Sequence, residues 1–337
     1  MNTALVFPGM GPTPFRDIGR FLVTDPVGRE LVDTADDILG YSLVDAYRTT
    51  EGDYSEPAQV AFMVTCLASA HWAVRNLDVR PDVCVGPSFG EKAALAYSGV
   101  LTPAAAIEIT VLLARCMDDY FAHEHTDIVT HSFARVPADA LERITAESDA
   151  DGQWNDVSCY VDEGFAMLSI RESRLPWLTQ RIREEGGMSM YTMRPPMHCA
   201  DFAPLRDRVE SEVLDRFEFA DPKIPVVADQ DGSVITTAAA ARRMLSDGFV
   251  KPLRWPTVVE SMTKLGIRTA CVAGPDSLFG RVRCTRDAFE IIAANPRRAL
   301  TPVQRSTVRK NRSNERKNDV GQHVRGHSPS VPTVPVA

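Results

Sequence analysis

The chain has 337 residues, 44% of them hydrophobic and 24% charged, which is typical of a globular protein large enough for one large domain or two. It contains no apolar run of about 18 residues, and no basic segment precedes an apolar core at the N-terminus, so we expect no membrane span and no secretory signal. The seven cysteines include no C-x-x-C pair, which predicts free thiols, a cytoplasmic protein and no metal site.

The charge is unevenly distributed along the chain. Its net value is −8, yet residues 297–337 contain nine Lys or Arg and only two acidic residues. Large apolar residues are rare in this segment, so we expect 297–337 to be a disordered basic tail. Nothing in the composition favours nucleic-acid binding or demands an oligomer, and we therefore expect a monomer.

The first third of the chain alternates strand and helix patterns, which predicts an α/β domain with a largely parallel sheet. Its first strand, Ala4–Phe7, ends in a loop rich in glycine and proline at residues 8–12. The later elements predicted in this third are a helix at 59–77, a strand at 82–85 and helices at 88–98 and 103–121.

The pattern changes in the middle of the chain, where elements are predicted in the order β-α-β-β-α-β. This order is typical of a ferredoxin-like subdomain. These elements cover residues 130–136, 138–147, 157–161, 166–170, 175–185 and 188–193. The chain then continues with a helix at 202–217, a strand at 224–228, helices at 238–246 and 255–265, a strand at 269–273 and a short helix at 277–284.

The pentapeptide Gly86-Pro87-Ser88-Phe89-Gly90 follows the apolar residues 83–85 and precedes a helix-forming segment. The spacing G-x-S-x-G predicts a nucleophile elbow, a sharp strand-to-helix turn that exposes the serine hydroxyl. Backbone N–H groups at the start of that helix can stabilise an oxyanion. An ordinary Gly-Ser turn has the same spacing, so the context of strand and helix is what favours Ser88 as a nucleophile.

A serine nucleophile needs a base within hydrogen-bond reach. His198 is the best candidate, because it follows the extended segment Pro195-Pro196-Met197 and precedes a predicted helix. A lone histidine is more often a structural residue.

Five motifs then occur in a characteristic order along residues 3–290: Phe7-Pro8-Gly9-Met10-Gly11, the elbow at 86–91, Pro196-Met197-His198-Cys199, Pro225-Val226-Val227 and Gly274-Pro275-x-x-Leu278-x-Gly280. With them the chain resembles the malonyl-CoA:acyl carrier protein transacylases and polyketide acyltransferases. It is most similar to the discrete acyltransferases of macrolactam polyketide pathways, which move aminoacyl or dipeptidyl groups between carrier proteins.

The resemblance implies an α/β-hydrolase-like large subdomain, 1–126 and 195–296, with a ferredoxin-like small subdomain inserted at 127–194. It also implies a ping-pong reaction in which Ser88 takes an acyl group from a thioester and passes it to a phosphopantetheine thiol. His198 would be the base, oriented by a backbone carbonyl as is usual in this family, with Asp229, just after a predicted strand, as a weaker candidate for that role. The backbone N–H groups of Met10 and Phe89 would form the oxyanion hole. No cofactor is bound, since acyl carrier proteins or CoA bring both donor and acceptor.

Malonyl-type members of this family have an arginine on the helix after the elbow helix, where it pairs with the malonyl carboxylate. An ungapped match puts Leu113 at that position, and Arg115 falls on the opposite face of the helix. Leucine cannot pair with a carboxylate, whose burial without a partner is costly. We therefore expect a non-malonyl acyl group, although a match shifted by two residues would restore Arg115.

Two further positions are assigned to the substrate pocket. Met197 would form a flexible apolar wall, and Gly248, near a position where the family often has glutamine, would enlarge the site. An acidic carrier protein would require a local basic patch on this acidic enzyme, and we assign Arg135 and Arg281 to it, with Met188 as an apolar contact.

The leading hypothesis is thus an acyltransferase that exchanges an aminoacyl or dipeptidyl group between carrier proteins. The alternatives are a malonyl-CoA:acyl carrier protein transacylase that uses Arg115, and a hydrolase that clears stalled carrier-protein thioesters.

Overall fold

The computed structural model describes residues 2–301, and every structural statement below concerns this range. The strands are β1 Thr3–Val6, β2 Val83–Val85, β3 Ile128–Ala134, β4 Asn155–Asp162, β5 Phe165–Arg171, β6 Met188–Met193, β7 Val226–Val227, β8 Val234–Ile235, β9 Leu253–Arg254, β10 Thr269–Ala273 and β11 Glu290–Ala294. The helices are α1 Phe15–Thr24, α2 Pro26–Leu39, α3 Leu43–Thr49, α4 Glu56–Leu77, α5 Gly90–Tyr97, α6 Pro103–His123, α7 Ala138–Ala150, α8 Leu175–Glu184, α9 Ala203–Glu212, α10 Ala238–Asp247, α11 Trp255–Lys264, α12 Arg283–Ala288 and α13 Pro296–Leu300.

The larger sheet has the strand order β11-β10-β1-β2-β7-β8, and its pairs are parallel except for β7 with β8. Strands β1, β2 and β10 are buried along their whole length, as expected for a parallel sheet covered on both faces by helices. This arrangement confirms the predicted α/β fold class. It also brings the carboxyl end of β2 next to the carboxyl end of β1.

A tight turn joins β2 to α5 and places the chain against the end of β1. The Phe7 N–H donates a hydrogen bond to the Val85 carbonyl at 2.8 Å. A Cβ atom added to Gly90 would lie 2.0 Å from the Phe7 carbonyl oxygen, and one added to Gly86 would lie 2.1 Å from the Gly90 carbonyl oxygen. Glycine at both ends of the pentapeptide is therefore a steric requirement of this turn.

The smaller sheet has the order β6-β3-β5-β4-β9, with antiparallel pairs among its first four strands. Strands β3 to β6 with α7 and α8 form the predicted β-α-β-β-α-β unit, around a core that includes Phe133, Leu168 and Ile182. The fifth strand, β9, comes from residues 253–254 and pairs in parallel with β4. The subdomain bounds 1–126 with 195–296, and 127–194, stay predictions.

Several elements differ from the sequence-based expectations. Helices α1 to α3 had not been predicted, and neither had β11. The helix predicted at 277–284 is wrong, because the carboxylate of Asp276 accepts hydrogen bonds from the N–H groups of Leu278 and Gly280 and stabilises a loop there. Helix α12 begins only at Arg283.

The predicted disordered tail begins too early. Residues 296–300 form α13, which packs against α1 and α4 and so belongs to the folded part of the chain. The remainder of the predicted tail, 302–337, lies outside the described residues.

Helix α4 is long and apolar enough, by length and composition alone, to cross a membrane. However, 78% of its apolar window is buried inside the protein. The central helix of a folded core passes the same test, and α4 packs here against α2, α5 and α6.

The steric requirement at the elbow can be tested with Gly90→Ala. The new methyl group would meet the backbone of Phe7, which cannot move without disturbing β1, so we expect the free energy of unfolding to fall by about 3 kcal/mol. Gly52→Ala is the matched control, because its Cβ would lie 3.4 Å from the nearest atom, in ordinary contact. Equal urea midpoints for the two variants would contradict the close approach.

Candidate active site

Ser88 occupies the tip of the turn between β2 and α5. Its φ angle is 54°, in the left-handed region that a non-glycine residue rarely adopts, as the elbow geometry requires. The Ser88 N–H donates a hydrogen bond to the Asp229 carboxylate at 2.5 Å, and the Ser88 carbonyl accepts one from Glu91 N–H. These contacts hold the serine backbone on both sides of its side chain.

His198 lies directly against the serine. Its Nε2 is 2.8 Å from Ser88 Oγ, a hydrogen-bond distance suitable for proton transfer. The backbone carbonyl of Gly248 interacts with the same ring, and because Nε2 faces Ser88 Oγ, Nδ1 is the nitrogen that can donate to it. That bond leaves Nε2 as the acceptor for the serine proton.

The weaker suggestion that Asp229 orients the histidine is wrong. Its carboxylate binds the Ser88 N–H, so it positions the nucleophile, and a backbone carbonyl orients the base.

Asp229 and Glu91 form a buried carboxyl pair beneath the elbow. Burial raises the pKa of Glu91 well above its usual value, and the neighbouring Asp229 raises it further. Burial also raises the pKa of Asp229, to about 6, although hydrogen bonds from Ser88 and Glu91 oppose the shift. Oδ1 of Asp229 has no other donor, so a proton on Glu91 supplies it. Gln230 Nε2 donates to Oε1 of Glu91 at 2.7 Å.

The environment of His198 favours the neutral imidazole that a general base needs. Burial lowers its pKa to about 4; the bond to Gly248 opposes this shift, and the nearby Lys92 ammonium adds to it. The imidazole is therefore unprotonated at pH 7.

The predicted oxyanion donors lie beside the serine. Met10 and Phe89 both line the cavity that contains Ser88 and His198. Within residues 2–301 neither backbone N–H donates a hydrogen bond to another protein group. Both are thus free to bind an oxygen that becomes charged during the reaction.

All three predicted pocket residues line the same cavity, whose volume is about 90 Å³. Leu113 and Met197 contribute apolar walls, as expected from the sequence. Gly248 has a second role besides leaving space: its carbonyl orients His198, and a Cβ there would lie 2.8 Å from a Glu91 carboxyl oxygen. A second cavity, of about 280 Å³, also reaches Ser88 and His198 and is lined by Gly9, Met190 and Phe279 among others.

Arg115 does not line either of these cavities. Its guanidinium forms a bidentate pair with Glu56 and is about half exposed. The alternative match that would bring Arg115 to a substrate carboxylate therefore has no support in this geometry.

The three residues assigned to a partner surface are all exposed. Arg135 follows Ala134, which pairs with Met188 across the edge of the small sheet, so Arg135 and Met188 are neighbours. Arg281 donates its backbone N–H to the carbonyl of Leu278, a residue that lines the larger cavity. Neither of the two arginines forms an ion pair with another residue of the described range.

Comparison with known proteins places this geometry among acyltransferases. A family model described as the VinK acyltransferase small domain matches residues 132–193. The malonyl CoA-acyl carrier protein transacylase of Bacillus subtilis strain 168 is 24% identical over 301 residues, which cover 87% of this chain and 93% of the relative. The chain is an acyltransferase with a serine nucleophile.

Solved structures show the fold of this acyltransferase. A malonyl-transacylase in complex with its type II polyketide synthase acyl carrier protein superposes with a TM-score of 0.78 at 23% identity, over 87% of this chain and 96% of that one. FabD from Acinetobacter baumannii gives a TM-score of 0.78 at 19% identity, over 88% of this chain and 96% of that one.

Sequence reasoning missed three features of the acyltransferase site. The sequence pattern assigns Glu91 and Lys92 only to a helix-forming segment, yet both are buried and line the cavity. Charged residues directly after a G-x-S-x-G turn are a signal that could have been noticed, because that helix lies at the centre of the fold. The carbonyl of Gly248 gives no signal in the sequence.

The protonation of Glu91 can be tested with two variants. In Glu91→Gln the amide group donates to Asp229 and accepts from Gln230, so we expect the free energy of unfolding at pH 7 to change by about 1 kcal/mol or less. Glu91→Ala leaves Asp229 Oδ1 without a donor and should cost about 1–3 kcal/mol, plus the cost of the cavity. Equal destabilisation of both variants in urea unfolding would contradict a protonated Glu91.

The pKa of His198 predicts where the pH profile of kcat/KM falls on its acidic side. Because only the neutral imidazole accepts the serine proton, we expect kcat/KM for a small thioester to fall with decreasing pH only near pH 4. Lys92→Gln removes a positive charge beside the ring and should move this limb to higher pH. Circular dichroism at each pH would show that the enzyme is folded. A wild-type limb at the unperturbed histidine value would contradict the assignment.

Proposed function

We propose that this enzyme is a discrete acyltransferase of polyketide biosynthesis that moves a non-malonyl acyl group, aminoacyl or dipeptidyl, from one acyl carrier protein to another. Its cytoplasmic location is part of the proposal. The acyl groups would travel as thioesters on the phosphopantetheine arms of the two carrier proteins, so the enzyme itself needs no bound cofactor.

The geometry supports a ping-pong reaction through an acyl-serine ester. As Ser88 Oγ attacks the thioester carbon, His198 Nε2 takes its proton, and the carbonyl oxygen becomes an anion near the N–H groups of Met10 and Phe89. Collapse of this intermediate expels the thiolate of the donor, which receives the proton from His198. The thiol of the acceptor then attacks the ester by the reverse sequence and regenerates Ser88.

The observation that carries the substrate proposal is that no arginine of residues 2–301 lines the cavity of about 90 Å³ beside Ser88, which we call the acyl cavity. Leu113 lines the cavity where the malonyl-type pattern has arginine, and Arg115 is paired with Glu56 outside it. A malonyl carboxylate placed against Leu113 would lose its hydration without gaining the guanidinium that the malonyl-type pattern provides at this position, which is unfavourable.

The proposed partner surface combines Arg135, Met188 and Arg281. Met188 is 46% exposed, and the two guanidinium groups are free to meet an acidic protein. The similar transacylase solved in complex with its acyl carrier protein supports a carrier protein as the partner.

The names of the sequence relatives favour a second candidate, malonyl-CoA:acyl carrier protein transacylase. A hydrolase that releases stalled acyl groups would use the same serine and histidine. These two alternatives differ from the main proposal in the group that is loaded on Ser88 and in its fate.

Intact-protein mass spectrometry separates the three functions. We expect an aminoacyl carrier protein to acylate the enzyme and malonyl-CoA to do so poorly, with Ser88→Ala showing no adduct. Transfer to a second carrier protein should then remove the adduct. Efficient malonyl loading would favour the transacylase, and release of free acid without transfer would favour the hydrolase.

Charge reversal tests the partner surface. We expect Arg281→Glu to lower kcat/KM for an acyl carrier protein by about tenfold, because close charge pairs are worth on the order of 1–2 kcal/mol, and to leave turnover of a small thioester unchanged. Arg183→Glu is the matched control, since this exposed arginine lies on α8 and forms no ion pair in the described range. Equal losses with both substrates would contradict the surface.

A further inference from the structure

Lys92 is a buried ammonium group at the acyl cavity. It follows Ser88 by four residues, about one turn along α5, and its side chain lines the cavity together with Leu113. Only 7% of the residue is exposed. No step of the acyl transfer described above uses it.

The ammonium has no hydrogen-bond partner or ion-pair partner within residues 2–301. The ammonium lies over the ring of Phe89, whose centroid is 3.8 Å from Nζ. A cation–π contact stabilises the charge but accepts none of its three N–H donors in the way an oxygen does. Nζ is not among the fully buried unpartnered atoms of residues 2–301, so it is open to the cavity. A ligand that displaces water from the cavity would leave these donors unsatisfied unless it supplies an acceptor itself.

The charges around Lys92 indicate which acceptor fits. The ionisable side chains that line the cavity with it are Tyr54, Glu91 and His198. Glu91 is protonated and His198 is neutral at pH 7, while the adjacent Asp229 holds one negative charge. Burial lowers the pKa of Lys92 to about 8, so the ammonium form still predominates at pH 7.

The buried groups around Ser88 thus carry one positive charge, on Lys92, and one negative charge, on Asp229. A substrate carboxylate would bring a second negative charge into this buried region. A neutral carbonyl oxygen satisfies an N–H donor and preserves the balance.

We propose that Lys92 determines specificity by donating a hydrogen bond to a neutral carbonyl oxygen within the acyl group, such as the amide carbonyl of an N-acylated amino acid or dipeptide. This inference rests on the proposed function and deepens it. It assigns a neutral polar acceptor to the part of the acyl chain that lies beyond the thioester.

The test compares acyl groups of equal length on the same carrier protein. N-acetyl-β-alanyl and hexanoyl thioesters differ by one amide group, and a malonyl thioester supplies a carboxylate. Loading of Ser88 is measured as kcat/KM for wild type, Lys92→Gln and Lys92→Met. Glutamine and methionine have similar lengths, but only glutamine has N–H donors, and neither is charged.

We expect wild type to prefer N-acetyl-β-alanyl to hexanoyl, and Lys92→Met to lower this ratio by about 10- to 100-fold, because the buried amide carbonyl loses its donor. Lys92→Gln should retain most of the ratio. General damage to the fold would lower both rates and leave the ratio unchanged.

Two results would overturn the inference: an amide-to-hexanoyl ratio that is the same in wild type and Lys92→Met, or malonyl loading that both substitutions abolish. The second result would make Lys92 a carboxylate ligand. The proposed function fails separately, if wild type loads malonyl faster than both neutral groups, since that comparison involves no Lys92 variant.

Discussion

The structure depends on one close approach, in which the turn after β2 passes against the end of β1. Gly90 touches the Phe7 carbonyl so closely that no side chain fits between them. This contact fixes the direction of α5 and therefore the position of Ser88 at its start. It also brings the loop containing Met10 to the same place, so the nucleophile and both oxyanion donors are set by a single packing constraint.

The protonation states of the buried ionisable groups around Ser88 are the second constraint on the site. Ser88 is attached through its backbone to Asp229, whose other oxygen requires a proton from Glu91. His198 is kept neutral by burial and by the cation at Lys92. The site thus contains two acidic groups, one base and one ammonium, yet its buried charge sums to about zero at neutral pH. Such a balance allows ionisable groups to lie under an apolar pocket without a large cost in stability.

Much of this arrangement follows from local sequence. The G-x-S-x-G spacing and the β-α-β-β-α-β order predicted the elbow and the small sheet, because both are set by turn chemistry and short-range periodicity. Ser88, His198 and the pocket position of Leu113 were found from motifs. The remainder depends on contacts between distant segments: Asp229 meets Ser88 across 141 positions, and the carbonyl of Gly248 could orient a histidine only once the chain had folded. The loop at Asp276 was mistaken for a helix because its side chain competes for backbone N–H groups.

The fifth strand of the small sheet has a mechanical consequence. Strand β9 joins that sheet through Leu253, five residues after the carbonyl that holds His198. The histidine itself follows β6, at the other edge of the same sheet, by five residues. Short segments thus connect His198 and the carbonyl that orients it to the two edge strands of the small sheet, β6 and β9. Ser88, in contrast, follows β2 of the large sheet. The distance between Ser88 Oγ and His198 Nε2 therefore depends on how the two sheets are oriented, and a tilt of one sheet against the other would change the geometry of proton transfer.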